Sequence, residues 1–221
     1  MTDTRAVLLG GSGLVGGFCL RTLVSDPRYR QITLLSRRKL KSASDSRVVE
    51  RLVNFEELSS GDFAGADDIF CALGTTIRQA GSRAAFRRVD LEYPLTAAKT
   101  AFEAGARQFV LVSSVGANAS AKNSYLRTKG ELEHEVSKLG FSSVHILRPS
   151  LLLGEREEFR RGERIAMRVM PLLNFAMVGS MRRYRAISAA TVGQAMVAAA
   201  RSGRIGTFVY EHDEIRALAS R

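Results

Sequence analysis

The sequence predicts an α/β protein: a doubly wound parallel sheet with helices on both faces and a small C-terminal cap on the substrate side. Three observations carry that prediction. Short apolar runs alternate along the chain with amphipathic stretches of helical period. The runs are continuous rather than alternating, so each strand is buried on both faces, as parallel strands are. A glycine-rich turn, VLLGGSGLVGG, joins the first run to the first amphipathic stretch, as in a strand–turn–helix unit.

The elements follow in order. Ala6 to Leu9 is the first strand and Leu14 to Ser25 the first helix. QITLLSRR supplies a second strand at Ile32 to Ser36, RVVERLV a third at Val48 to Val53, and DDIFCALG a fourth at Asp68 to Leu73. A long helix is expected from Phe86 to Ala104, before a β-rich fifth strand at Phe109 to Ser113. A helix at Ser124 to Leu139, a sixth strand at Ser143 to Leu147, and a last pair at Ala190 to Ser202 and Thr207 to Tyr210 complete the pattern. Residues 1–221 read as one domain, with 151–221 contributing the substrate-side segments. The apolar segment Ile165 to Gly179 contains Arg168 and Pro171 and is too short to span a bilayer; a cover over a core or pocket is expected there.

Composition narrows the function. With 45% hydrophobic and 25% charged residues among 221, the chain resembles an ordinary globular domain able to bury a core without staples. The net charge of +11 raises nucleic acid and anionic membranes as partners. The arginines, however, are scattered (Arg78, Arg83, Arg87, Arg88, Arg160, Arg161, Arg182, Arg183), with no basic helix and no interleaved aromatics to stack bases. Nucleic acid is therefore not expected, nor is an integral membrane role; peripheral membrane contact stays open. Cys19 and Cys71 form no CxxC pair, and His134, His145 and His212 have no metal-ligand spacing, so reduced core thiols and no metal are expected. No secretory pattern opens the chain, which predicts a cytoplasmic protein; monomer and homodimer both stay open.

Gly10, Gly13 and Gly16 carry the first chemical signal. In such a turn one glycine permits the tight bend, one admits a diphosphate, and one lets helix and strand pack. Ser12, Leu14 and Val15 belong to the same phosphate-facing turn, whose helix supplies free N–H groups and a positive dipole. About 20 residues past the last glycine, an acidic side chain would hold a ribose 2′-hydroxyl. Ser36, Arg37 and Arg38 stand there instead. Guanidinium groups suit a 2′-phosphate, so NADP(H) is expected over NAD(H). The same arginines also read as the start of a basic loop, SRRKLK.

The second signal is Tyr125 and Lys129, four residues apart and so on one helix face, which Leu132 and Val136 extend. A phenol with its ordinary pKa of about 10 is a poor acid-base at neutral pH, and a nearby ammonium favours the phenolate. Ser113 or Ser114, ending the fifth strand, could hold a substrate oxygen beside that phenol. The alternative is an interfacial tyrosine beside a lysine that pairs with Glu133 on an exposed edge.

With these motifs the chain resembles the short-chain dehydrogenase/reductase superfamily, in its atypical, extended-like branch containing the Tat-interacting oxidoreductase proteins. The resemblance runs through GGSGLVGG, LLSRR, VNFEEL, CALGTTIRQAG, RRVDLEYPLTAAKTAFEAGARQFVLVSS, YLRTKGELE and LRPSLLLGEREE. It implies a Rossmann NAD(P)-binding fold, NADP(H), and a catalytic set of Tyr125, Lys129 and either Ser114, just past the strand, or Ser113. It also implies that Asn54 and Phe55 border the adenine, that Ala72, Leu73 and Gly74 pass beneath the ribose, and that Leu147, Arg148, Pro149 and Ser150 flank the nicotinamide. Asp90 is expected to be structural. Met167, Met170, Met177 and Met181 near Phe175 could line an apolar pocket or simply pack, and Glu155, Arg156, Glu157 and Glu158 read as a solvated loop near its entrance. The expected activity is hydride transfer between nicotinamide and a small carbonyl or alcohol substrate. An NADPH-binding regulator with little turnover is the alternative.

Overall fold

The computed structural model describes residues 3–39, 45–154 and 178–220. Seven parallel strands form one sheet in the order β3-β2-β1-β4-β5-β6-β9. They are β1 (Thr4–Leu9), β2 (Tyr29–Ser36), β3 (Val48–Leu52), β4 (Asp68–Cys71), β5 (Gln108–Val112), β6 (Ser143–Leu147) and β9 (Gly206–Tyr210). Two further strands, β7 (Leu152–Leu153) and β8 (Ile187–Ser188), pair only with each other. The pleat of β1 splits its side chains, with Ala6 and Leu8 joining one core and Val7 and Leu9 the other. This is why its apolar run has no polar interruption. On the first face lie α1 (Leu14–Ser25), α6 (Ala189–Ala200) and α7 (His212–Ala219); on the second lie α4 (Tyr93–Glu103) and α5 (Ser124–Ser137). β1 pairs with β2 on one side and β4 on the other, so the strand order reverses there and opens a crevice above their carboxyl ends.

Several expected boundaries are corrected. The long helix from Phe86 to Ala104 is three pieces: α3 (Arg83–Arg87), a π turn at Arg88–Glu92, and α4. Pro94, in the first turn of α4, has no N–H to return to the carbonyl of Asp90, and the backbone widens there. Before it, Thr76 caps the short α2 (Ile77–Ala80) by accepting from Gln79 N–H, and Ser82 caps α3 by accepting from Ala85 N–H. β4 ends at Cys71 rather than Leu73, β3 at Leu52 rather than Val53, and β5 at Val112, which leaves Ser113 just beyond the ladder. The β7–β8 pair and α7 were not expected.

α1 and α6 meet backbone to backbone. A Cβ added at Gly193 would lie 2.7 Å from both Cys19 N and Phe18 Cβ. Cys19 and Cys71 are both fully buried free thiols. The expected cover from Ile165, the methionines Met167, Met170 and Met177 with Phe175, and the loop Glu155 to Glu158 lie outside the described residues, while Met181 is 51% exposed on the surface. Among the described residues no helix is long and apolar enough to cross a membrane.

Candidate functional site

The glycine turn sits at the strand-order reversal. Gly10 has φ +84°, and a Cβ there would lie 2.6 Å from the carbonyl carbon and oxygen of Ala72. A Cβ on Gly16 would come within 2.1 Å of Gly10 O, so these two glycines let the turn, β4 and α1 close together. Gly13 differs. It is the N-cap of α1, its N–H donates to Gly10 O at 2.9 Å, and an added Cβ would meet only that oxygen, at 3.2 Å, with open space beyond. No side chain caps this helix, so its first N–H groups face outward beside the exposed Ser12. A cradle that a side chain would fill, at a positive helix end, fits a diphosphate.

Above the turn is a cavity of about 430 Å³. Gly13, Leu14 and Val15 form one wall; Ala72, Leu73, Gly74, Thr75, Thr76 and Gln79 form a second; Val112, Ser113, Tyr125 and Lys129 form a third, with Asp90 beneath and residues Ser150 to Gly154 closing the side. Asn123 begins α5 by accepting from the N–H groups of Tyr125 and Leu126, which places Tyr125 in the first turn. Its ring stacks on the buried Phe86 at 5.4 Å. One turn on, Lys129 is nearly inaccessible, and its Nζ lies 2.7 Å from Oδ1 of Asp90, which is fully buried. The contact is a close ion pair rather than an aligned hydrogen bond, and the other carboxylate oxygen accepts from Thr75 N–H at 2.8 Å. Burial works against the charge on Lys129, but Asp90 and, less, Tyr125 outweigh it and hold its pKa above the ordinary value. Burial raises the Asp90 pKa, against the pull of Lys129 and the Thr75 amide.

The two candidate serines part company. Ser113, in the cavity wall, donates its N–H to Leu147 O at 2.7 Å, and its buried Oγ has no hydrogen-bond partner among the described residues. Ser114 turns its hydroxyl toward Val115 O at 3.4 Å and does not line the cavity.

Other expected positions lie elsewhere. Arg148 does not flank the cavity: its Nε donates to Glu133 Oε1 at 3.0 Å, and Nη2 to Oε2. Glu133 is thus engaged by Arg148, and Lys129 pairs with Asp90 instead. Leu147 is core and Pro149 is buried; of LRPS only Ser150 reaches the wall, its hydroxyl donating to Arg185 O. Asn54 bends over its own loop, accepting from Glu56 N–H at 3.1 Å, and Phe55 stacks on Tyr93 at 5.6 Å; neither lines the cavity. Arg37 and Arg38 are exposed at the end of β2, also outside its lining. Asp90, expected to be merely structural, is in the wall, as are Thr75, Thr76 and Gln79, which sequence reasoning missed. Arg87, Arg88 and Glu92 crowd the sequence around Asp90, so its carboxylate did not stand out there as the one that would be buried.

A parallel sheet of this order, an uncapped glycine-turn helix and a Tyr–Lys helix across the same crevice define a short-chain dehydrogenase/reductase-type protein. No family model matches the chain. It is 38% identical over 170 residues to Protein HTATIP2 of Rattus norvegicus, covering 75% of this chain and 70% of that one. It is 40% identical over 156 residues to "Protein FMP52, mitochondrial" of Candida albicans, covering 68% of each. The chain belongs to the HTATIP2 and FMP52 family of atypical short-chain dehydrogenase/reductases. In fold it matches UDP-N-acetylglucosamine 4-epimerase from Methanobrevibacter ruminantium M1, with TM-score 0.70 and 13% identity over 96% of this chain and 77% of that one. It also matches the dTDP-glucose 4,6-dehydratase DesIV from Streptomyces venezuelae, solved with NAD, with TM-score 0.68 and 16% identity over 98% and 79%. The expected cytoplasmic location is corrected: FMP52 relatives from several fungi are named mitochondrial.

Proposed function

We propose that the chain is an NADP(H)-dependent oxidoreductase, moving hydride between the nicotinamide and a carbonyl or alcohol carbon of a small molecule. The observation that carries this reading is a single cavity bordered by the N-terminus of α1, the unpartnered Ser113 hydroxyl, Tyr125 and Lys129. The dinucleotide, when bound, supplies or accepts the hydride. The N–H groups at the start of α1 hold the diphosphate against the open side of Gly13. Ser113 Oγ–H donates to the substrate oxygen and fixes it. Tyr125 gives its hydroxyl proton to that oxygen as a carbonyl becomes an alcohol, and takes it back in the reverse direction. Lys129, kept charged by Asp90, stabilises the phenolate between those events. Arg37 and Arg38 take the 2′-phosphate, since no carboxylate follows the end of β2.

Tyr125→Phe should lower turnover by roughly 10²- to 10⁴-fold while leaving NADPH affinity intact. Full activity in that variant removes the assignment. Arg37→Gln with Arg38→Gln should weaken NADPH by roughly 10- to 100-fold and leave NADH nearly unchanged. Equal losses for both nucleotides would refute the 2′-phosphate role.

A second reading is an NADPH-binding regulator with little turnover. The Asp90–Lys129 pair favours it, because a carboxylate at 2.7 Å weakens the field of the ammonium at the phenol. A panel of carbonyl substrates followed by NADPH depletion separates the two, since a regulator binds the dinucleotide and consumes none.

A further inference from the structure

A second cavity, of about 190 Å³, opens where α6 begins, with room for several waters or a small anion. Its wall holds Arg185, Arg216, Ser188, Thr191 and His212, and among the described residues no carboxylate lines it. The adjoining acid, Asp213, is engaged by Arg182 at 3.0 Å. Ser188 caps the 12-residue α6, its Oγ accepting from Thr191 N–H at 3.0 Å and lying 2.9 Å from the Thr191 hydroxyl. The positive end of that helix therefore adds to two guanidinium groups.

Two buried nitrogens of the residues in this wall have no hydrogen-bond partner among the described residues: Arg185 Nε and His212 Nε2. His212 is 3% exposed, and its Nε2 is 4.0 Å from Asp213 Oδ1, beyond hydrogen-bond reach. Its Nδ1 lies 3.0 Å from Arg185 O, an acceptor only, so Nδ1 carries the proton. Burial foremost, with the charges of Arg216 and Arg185 behind it, holds the imidazole pKa below its ordinary value against the opposing pull of Asp213 and the Arg185 carbonyl. The ring is then neutral near pH 7, and Nε2 is a lone pair seeking a donor. Guanidinium groups ask for anionic oxygens, while this nitrogen asks for an O–H. One tetrahedral ion offers both at neutral pH.

We propose that the cavity at the start of α6 is a binding site for inorganic phosphate, with Arg185 and Arg216 on its anionic oxygens and His212 Nε2 accepting from its hydroxyl. Sulfate has the same shape but no proton to give, so the site discriminates against it. The Arg185 carbonyl, which accepts from both His212 and Ser150, ties this cavity to the larger one.

The test is calorimetric titration of the full chain with inorganic phosphate and, separately, with sulfate, near pH 7. Phosphate should bind saturably at one site and at least tenfold more tightly than sulfate. Arg216→Gln, at an exposed position that tolerates the change, should cost at least tenfold in phosphate affinity. Gly13→Asp, which places a negative charge at the other helix N-terminus, should leave it unchanged. Absence of saturable binding, equal affinity for sulfate, or loss in Gly13→Asp with retention in Arg216→Gln would each overturn the proposal.

Discussion

The two ends of β4 each command a buried carboxylate, and the contrast separates scaffold from site. At the amino end, Asp68 accepts from the Tyr29 hydroxyl at 2.8 Å and from Gln108 Nε2 at 2.8 Å, both neutral donors. Past the carboxyl end, Asp90 faces the Lys129 ammonium and holds the Thr75 amide under a cavity of about 430 Å³. Burial raises both carboxyl pKa values, and the donors around each pull back. Asp68 is saturated by groups that do nothing else, so it fastens β2, β4 and β5 together. Asp90 is matched to a cation that also borders open space, and such a pair remains able to answer a third group.

The comparison breaks most visibly under matched substitutions. Asp90→Asn leaves a buried ammonium uncompensated and should cost about 3–5 kcal/mol in urea unfolding. A smaller but separate effect comes from His145, buried on β6 with Nδ1 3.0 Å from the Tyr210 hydroxyl. Burial, then the charge of Arg204, lowers its pKa from 6.5 to about 4. Between those values the unfolded chain takes up a proton that the folded chain refuses, so stability is full above pH 6.5 and falls toward pH 4. The loss should reach about 3 kcal/mol, with His212 adding in the same direction, and His145→Phe should flatten most of the slope. A slope unchanged in that variant would place the protons elsewhere. Asp68→Asn should be mildest, about 1 kcal/mol, because one neutral hydrogen bond is lost and no charge is stranded. Equal costs for the Asp68 and Asp90 substitutions would erase the distinction drawn between the two ends.

The sheet was legible because its central strands, β1, β4, β5 and β6, are apolar on both faces, although the edge strands β3 and β9 are mostly exposed rather than buried on both sides as expected. The turn was legible because Gly10, Gly13 and Gly16 stand between a strand and a helix. The break at Arg88 to Glu92 was not, since the apolar period continues through it and only Pro94 marks the widened turn. Ser113 and Ser114 illustrate a second limit: neighbours past a strand end point apart, and which one faces the crevice depends on where the ladder stops. Arg148 illustrates a third. Its position beside the sheet edge was readable, but its direction is set by Glu133 on α5, a partner that local sequence does not announce. The cavity residues Thr75, Thr76 and Gln79 were hidden in a connection whose shape depends on two side-chain caps.

The backbone contact between Gly193 and Cys19 has a bearing on biosynthesis. About 170 residues separate the two, so α1 waits on the ribosome for on the order of ten seconds before its partner emerges. During that interval its greasy side must be sheltered by something other than its final neighbour, which makes the nascent chain, rather than the finished protein, the stage most exposed to chaperones and to aggregation.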